Sequence, residues 1–308
     1  MVVVLLNERK FVKMFENMPH KVWEKCWTIG IVDGGIRSIL ENDVFSVKWL
    51  KIPHDRWFAD PFVLDVIGDE IQLLVEDYEY KKNKAVISIL KINKQTNKII
   101  SRKVILELDT HLSFPNIHRQ NGKVYVYPEN CSGGGLVLYE YDAEQENLKP
   151  YKLICDDKVW DSVITFVFGK PMLFTANKDD NHLDIYTLKD DMFVFSQTIE
   201  SEFGNSRMGG QIFEYEGNIY YPAQDCTNGY GRAIVIKELF FEKDLVQVGK
   251  IIKKIESPCR KMNLGLHTLN EYKNIAVVDA CGYRYRRIVS CVLTMSKVKS
   301  FMRKICRI

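Results

Sequence analysis

The feature that most constrains this chain is a unit of about 50 residues that recurs five times. Each unit opens with a short polar motif and continues with an apolar strand, a turn and a second apolar strand. The motifs are FADPFVL, LSFPNIH, VWDSVITF, RMGGQIFEY and LGLHTLNEY, and they start near Asp60, Pro115, Asp161, Gly209 and His267. Repetition at this period is typical of four-stranded propeller blades. The sequence therefore predicts an all-β, five-bladed β-propeller, with an irregular β-sandwich as the alternative.

A propeller has to join its first and last strands, because an open edge strand invites aggregation. The strand-like run KCWTIGIVDGG (25–35) precedes the first motif and is expected to complete the last blade beside residues 284–294. Helical patterns occur only near the two ends, over 9–25 and 295–308. The expected organisation is an N-terminal extension (1–24), the propeller (25–294) and a basic amphipathic C-terminal tail (295–308).

Composition narrows the choice of partners and compartment. The formal net charge is +3, which is too weak to indicate nucleic acid as the partner. Eight cysteines permit disulfides, but no secretory signal is evident, so reduced thiols and a cytoplasmic location are expected. No C-x-x-C pair or His/Cys zinc spacing occurs, so neither a metal site nor a cofactor is predicted. No apolar run reaches the roughly 18 residues of a membrane-spanning helix.

Polar residues stand at the start of each repeat, where a filled core would require apolar ones. Because the inner strands of all blades begin near the central axis, these residues are expected to converge on one pocket. The candidates are Asp60, Asn116, Asp161, Arg207 and His267. Each also has an ordinary structural interpretation, as a turn residue, a turn cap or a hydrogen-bonded core histidine.

Six further residues are candidates for sugar binding. Glu76 and Glu129 end strands of the first and second blades, and each is either a pocket carboxylate or a solvated strand end. Gln224, Asp225 and Tyr230 form a polar group before a strand, which is either a sugar contact or a hairpin loop. Trp57 either stacks on a sugar face or wedges between blades.

The motif RWFADPFVL resembles the first-blade motif of the furanosidase superfamily of five-bladed propellers, glycoside hydrolase families 43, 32 and 68. The resemblance implies that Asp60 is the base or nucleophile and that Asp161 stands where the general acid would be. The family has Glu at that position, and the second blade offers only Asn116 in place of a tuning Asp. These departures weigh against ordinary glycosidase activity.

A closer resemblance covers roughly residues 25 to 290. DRWFADPF, HLSFPNI, RMGGQIFEYEGNIYYPAQDC, YGRAIVI and LGLHTLN are similar, in order, to the N-terminal propeller domain of glucosamine inositolphosphorylceramide transferases. This resemblance implies a role in the assembly of a glycolipid or a surface polysaccharide. In the plant proteins the catalytic part is a separate glycosyltransferase domain, so the resemblance says little about activity.

Two functional hypotheses follow. The first is an enzyme that transfers or cleaves a glycosyl group, with Asp60 as base or nucleophile and Asp161 as acid or substrate ligand. This hypothesis is favoured because a buried carboxylate is costly unless it has a chemical task. The second is a non-catalytic glycan-recognition module that serves a separate transferase. The partner in either case is a sugar, an oligosaccharide or a lipid-linked glycan. The tail SKVKSFMRKICRI either rests on an anionic membrane surface or packs on the propeller.

Overall fold

A computed structural model describes residues 24–130, 132–167, 169–176, 182–200, 204, 206–242 and 245–285. Within these ranges the chain forms twenty strands in five four-stranded antiparallel sheets, and one helix. The predicted five-bladed propeller is confirmed. The helix predicted over 9–25 lies outside the described residues except for its last two, and residue 25 begins a strand. The predicted C-terminal helix lies wholly outside them.

The blades follow the order of the repeats. Blade 1 contains β3 (Arg56–Ile67), β4 (Glu70–Glu79), β5 (Lys84–Asn93) and β6 (Lys98–Leu106). Blade 2 contains β7 (Ser113–Gln120), β8 (Lys123–Glu129), β9 (Leu136–Asp142) and β10 (Asn147–Cys155). Blade 3 contains β11 (Trp160–Val167), β12 (Lys170–Ala176), β13 (His182–Lys189) and β14 (Met192–Glu200). Blade 4 contains β15 (Phe213–Tyr215), β16 (Asn218–Asp225), β17 (Ala233–Glu242) and β18 (Leu245–Ile255).

Blade 5 closes the ring with strands from both parts of the chain. Its order is β19 (Leu269–Tyr272), β20 (Ile275–Tyr283), β1 (Lys25–Asp33) and β2 (Lys48–Trp49). All nine residues of β1 pair with β20, so the ring closes through an N-terminal strand as predicted. The predicted partner at 284–294 was wrong, because the apolar run of β20 continues through Tyr283 and β1 and β2 supply both outer strands.

One short helix was not predicted. Helix α1 (Gly35–Glu41) follows β1 and buries Ile36 and Ile39 against blades 4 and 5. It begins after Gly34, whose φ of 86° lies in the left-handed region that glycine adopts without strain. Two isoleucines three residues apart are too few to show a helical period in the sequence.

The inner strands of blades 1 to 3 share a backbone distortion at their start. Asp60, Phe114 and Asp161 have φ values of 48°, 44° and 46°, and each lies at a break in the register with the next strand. Such bulges redirect side chains at the rims of closed sheets. The second-blade counterpart of Asp60 and Asp161 is therefore Phe114, and the assignment of Asn116 to that position was wrong by two residues.

Candidate functional site

Residues near the start of the inner strands and residues at or beyond the middle of the second strands meet at one end of the central axis. We call this end the acidic face. Its acidic cluster consists of Asp60, Glu76, Glu129, Asp161 and Asp279, four of them buried and Glu129 nearly so. The five carboxyl groups come from blades 1, 2, 3 and 5, so the ring topology alone brings them together.

Asp60 connects three blades through its carboxylate. Its Oδ2 accepts a hydrogen bond of 3.0 Å from the backbone N–H of Phe114 in blade 2. Its Oδ1 accepts one of 2.8 Å from the hydroxyl of Thr268, just before β19 of blade 5. The two oxygens are thus engaged by donors of the protein itself, and the side chain is 4% exposed.

His267 lies between two carboxylates. Its Nδ1 is 2.6 Å from Oδ2 of Asp279, and its Nε2 is 3.5 Å from Oδ1 of Asp60. The indole of Trp27 stacks on the imidazole at a centroid distance of 4.0 Å. Burial lowers the pKa of His267, but the charges of Asp279 and Asp60 outweigh burial and raise it to about 9. The imidazole is therefore protonated at neutral pH.

Burial also shifts the acids of blade 1. It raises the pKa of Asp60, against the lowering effect of protonated His267, and the charges of Asp279 and Asp161 raise it further. The pKa of Glu76 lies well above its ordinary value because of burial and the nearby Asp60 charge. Glu76 Oε1 is 2.9 Å from Nε2 of His111, whose side chain is half exposed at the rim.

A second group joins blades 2, 3 and 4. The guanidinium Nε of Arg207 donates to Oδ2 of Asp161, and the Gln224 amide donates to the same oxygen at 2.8 Å. Glu129 Oε2 accepts a hydrogen bond of 2.9 Å from the backbone N–H of Asp161 and lies 3.7 Å from Arg207 Nη2. Burial and the Asp161 charge raise the pKa of Glu129 to about 8, although Arg207 opposes them. Glu129 is therefore mostly protonated at pH 7.

The remaining interblade contacts near the axis complete a ring. The Asn116 amide donates to the carbonyl of Ser162 in blade 3 at 3.0 Å, and its oxygen accepts from the Gln211 amide at 3.1 Å. Asn270 accepts from the Gln211 backbone N–H at 2.8 Å and donates to the Pro61 carbonyl at 2.9 Å. Polar groups at the blade starts therefore hold neighbouring blades together, a role that differs from the turn and capping interpretations made from the sequence.

The other predicted residues divide between the rim and the scaffold. Tyr230 is 52% exposed and contacts His267 edge-on at a centroid distance of 5.5 Å. Trp57 is half-buried and stacks on Tyr78 at 4.6 Å. Asp225 binds Thr227 and the ammonium of Lys254, so its two oxygens are used within blade 4.

One group of side chains has the composition of a cation site. Asp60, His267 and Asp279 each offer a ligand atom, and these atoms lie within 4.8 Å of one another. A metal ion would have to displace the proton from His267, because only the neutral imidazole coordinates. Because its pKa is raised to about 9, protons compete with an ion for His267 at neutral pH.

Sequence reasoning missed Asp279, Thr268 and His111. A signal for Asp279 was present, because the second strand of every blade carries a polar residue directly after an apolar run. These residues are Glu76, Glu129, Thr175, Gln224 and Asp279. No comparable pattern marks Thr268 or His111. Gly231 was also missed: a Cβ there would come within 2.7 Å of His267, and its φ is +57°.

The raised pKa values predict that the protein loses stability between pH 6 and pH 9. His267 and Glu129 both hold a proton more tightly in the folded state than in the unfolded chain. Their stabilising effect is complete below the unfolded pKa values and is lost as pH rises through about 8 for Glu129 and about 9 for His267. Urea unfolding at pH 6 and pH 9 measures this loss. Glu129→Gln should flatten part of the slope; an unchanged slope in this variant would contradict the assignment.

The fold is a five-bladed β-propeller whose blade starts meet at one acidic face. The sequence profile of the family described as glucosamine inositolphosphorylceramide transferase 1, N-terminal, matches residues 46–280. The chain belongs to this family. Among curated relatives, the glucosamine inositolphosphorylceramide transferase 1 of Arabidopsis thaliana is 26% identical over 196 residues, covering 60% of this chain and 26% of the plant protein. The protein of that name from Oryza sativa subsp. japonica is 25% identical with the same coverage.

Solved structures show the same fold. An α-L-arabinofuranosidase from Clostridium thermocellum is 16% identical, with a TM-score of 0.50 over 74% of this chain and 83% of that one. A family 43 β-xylosidase/α-arabinofuranosidase from a compost microbial metagenome is 14% identical, with a TM-score of 0.50 over 72% of this chain and 84% of that one. At these identities the likeness concerns the fold alone. The chain spans only 26% of the length of the curated relatives it matches.

Among the described residues, no helix has the length and apolar character needed to cross a membrane.

Proposed function

We propose that this propeller is a glycan-recognition module of glycolipid or polysaccharide assembly, and that it binds a sugar at the rim of the acidic face. The observation that supports this most is that the carboxylates already accept hydrogen bonds from neighbouring blades. Both oxygens of Asp60 and one oxygen of Asp161 accept hydrogen bonds from other blades. Carboxylates that hold the ring together are poorly placed to attack a glycosidic bond.

The rim supplies the groups that a sugar needs. Tyr230, His111 and Trp57 present partly exposed rings around the acidic cluster. Sugar rings stack on aromatic faces through their C–H groups, and their hydroxyls donate to carboxyl and amide oxygens. Gln224 Oε1 is buried and has no hydrogen-bond partner among the described residues, so we expect a bound water molecule to donate to it.

The family adds independent support. The curated relatives are named glucosamine inositolphosphorylceramide transferase 1, and the region of similarity is about a quarter of their length. A propeller that recognises the glycan, with the transfer step carried by a separate domain, accounts for both facts.

Binding to the rim predicts a selective effect of Tyr230→Ala. This variant should weaken the binding of a tetrasaccharide by about tenfold through loss of one aromatic contact, with little change in thermal stability. Isothermal titration with tetrasaccharides of β-1,4-linked glucose, N-acetylglucosamine, xylose and mannose measures it. Phe240→Ala is the matched control, since Phe240 is 45% exposed on β17 and lies away from the rim. Equal losses in both variants would argue against a rim site.

Catalysis is the second candidate, and Glu129 is the observation that favours it. With a pKa of about 8, Glu129 carries the proton that a general acid requires, and Asp60 is the nearby carboxylate. In this case Glu129 replaces Asp161 as the proton donor, because Asp161 is engaged by Arg207 and Gln224. Release of sugar from any glycoside of the panel that is abolished in Glu129→Gln would favour catalysis over recognition.

A further inference from the structure

A groove between blades 2 and 3 opens at the opposite end of the inner strands. We call this end the hairpin face, after the turn between Gln120 and Lys123. The groove encloses about 470 Å³, a volume within the range of small-molecule sites. Strands β7, β9 and β10 of blade 2 and all four strands of blade 3 line it, together with the turn between β13 and β14. None of the residues that line it belongs to the acidic cluster, so it is a different site from the acidic face.

Exposed aromatic rings flank this groove. Tyr151 is 57% exposed and Phe166 is 52% exposed, although side chains of this size are usually covered in a folded domain. The His118 ring lies nearly parallel to Phe166, at a centroid distance of 5.8 Å and an angle of 18°. One face of Phe166 is thus supported by a planar neighbour, which fixes the orientation of the ring.

Polar groups accompany the aromatic rings. The ammonium of Lys152 in blade 2 lies 3.0 Å from the carboxylate of Asp191, after β13 of blade 3. Burial lowers the pKa of His118, so its imidazole is neutral at pH 7 and offers both a donor and an acceptor. Gln120 adds an amide at the inner end of the groove. An acyl chain in this groove would remove water from the ion pair without replacing its hydrogen bonds, which is unfavourable.

We propose that the groove is a second glycan-binding site, in which a pyranose ring stacks on Phe166 beside Tyr151. The sugar hydroxyls hydrogen-bond to Gln120 and to the Lys152–Asp191 pair. This site goes beyond the function proposed for the acidic face, and it would let the propeller hold one chain at two positions or two chains at once. A module with two sites gains avidity for long or clustered glycans without further contacts at either site.

The test uses the full chain and the same four tetrasaccharides, observed by saturation-transfer difference NMR and isothermal titration. We expect Phe166→Ala to weaken one binding event by about tenfold and to leave unchanged the event that Tyr230→Ala affects. Phe240→Ala should change neither event. Because the aromatic rings of Phe166 and Tyr151 are exposed, these variants are expected to fold, and thermal melting verifies this.

Two results would overturn the second site. One is that no tetrasaccharide binding responds to Phe166→Ala or Tyr151→Ala in folded protein. The other is that Tyr230→Ala alone abolishes all binding, which would leave the acidic face as the site and the groove without a ligand. Conversely, binding that is lost in Phe166→Ala and unaffected by Tyr230→Ala would support the groove and count against the rim. The two proposals can therefore fail separately.

Discussion

Replacement of Arg207 by methionine is expected to lower the free energy of unfolding by about 3–5 kcal/mol at pH 7. The guanidinium is the cation that faces both Asp161 and Glu129, and its side chain is 14% exposed. Without it, two carboxyl groups of different blades face each other in a poorly solvated site. Urea unfolding at neutral pH, followed by circular dichroism, measures the change.

The matched control is Arg232→Met in the same blade. Arg232 pairs with Glu256 at 3.1 Å, but the two side chains are 30% and 52% exposed. Exposed pairs contribute about 1 kcal/mol or less, so the control should stay close to the wild type. The deficit of Arg207→Met should also shrink at low pH, where the carboxyl groups are protonated. If Arg207→Met is as stable as Arg232→Met, the blades do not depend on the contact of Arg207 with Asp161 and Glu129.

The second large effect is expected for Asp60→Asn, with a loss of about 3 kcal/mol. Both Asp60 oxygens accept hydrogen bonds, from the Phe114 N–H and the Thr268 hydroxyl. An asparagine offers only one oxygen, so its amide nitrogen would face one of these donors. The change also removes a negative charge beside protonated His267. The pKa of His267, read from its imidazole resonances by NMR, should fall below its value of about 9.

Asp65→Asn on the same strand is the control for this variant. Asp65 pairs with Lys273 at 2.5 Å near the surface, where both side chains are more than one-third exposed. Its replacement should cost less than about 1 kcal/mol. If Asp60→Asn and Asp65→Asn unfold at the same urea concentration, Asp60 has no role in joining the blades. If the pKa of His267 is unchanged in Asp60→Asn, the charge of Asp60 does not act on His267.

The repeat pattern was sufficient to predict the architecture, because each blade keeps the same order of motif, strand, turn and strand. It was also sufficient to predict that Asp60, Asp161, Arg207 and His267 lie near one axis. The ends of the chain were harder to place. The partner of β1 was assigned to 284–294, since the pattern does not reveal that β20 continues through Tyr283.

The roles of the polar residues were the least predictable part of the site. A sequence shows that Asp60 lies at a blade start but not that two other blades supply donors to its oxygens. The offset between Asn116 and Phe114 depends on a bulge at Phe114. The φ of this residue is 44°, a conformation that phenylalanine rarely adopts, so the sequence does not indicate the bulge. Partners such as Thr268 are distant in sequence and follow only from closure of the ring.

The central claim is that the acidic face recognises a glycan while its carboxylates hold the blades together. The most direct measurement follows bound tetrasaccharide by NMR in the wild-type chain and in Glu129→Gln, over hours, with analysis of the sugar at the end. We predict that the His111 and Tyr230 resonances shift on binding, that the sugar is recovered intact, and that Glu129→Gln still binds it. Cleavage or transfer by the wild type that disappears in Glu129→Gln would contradict this account.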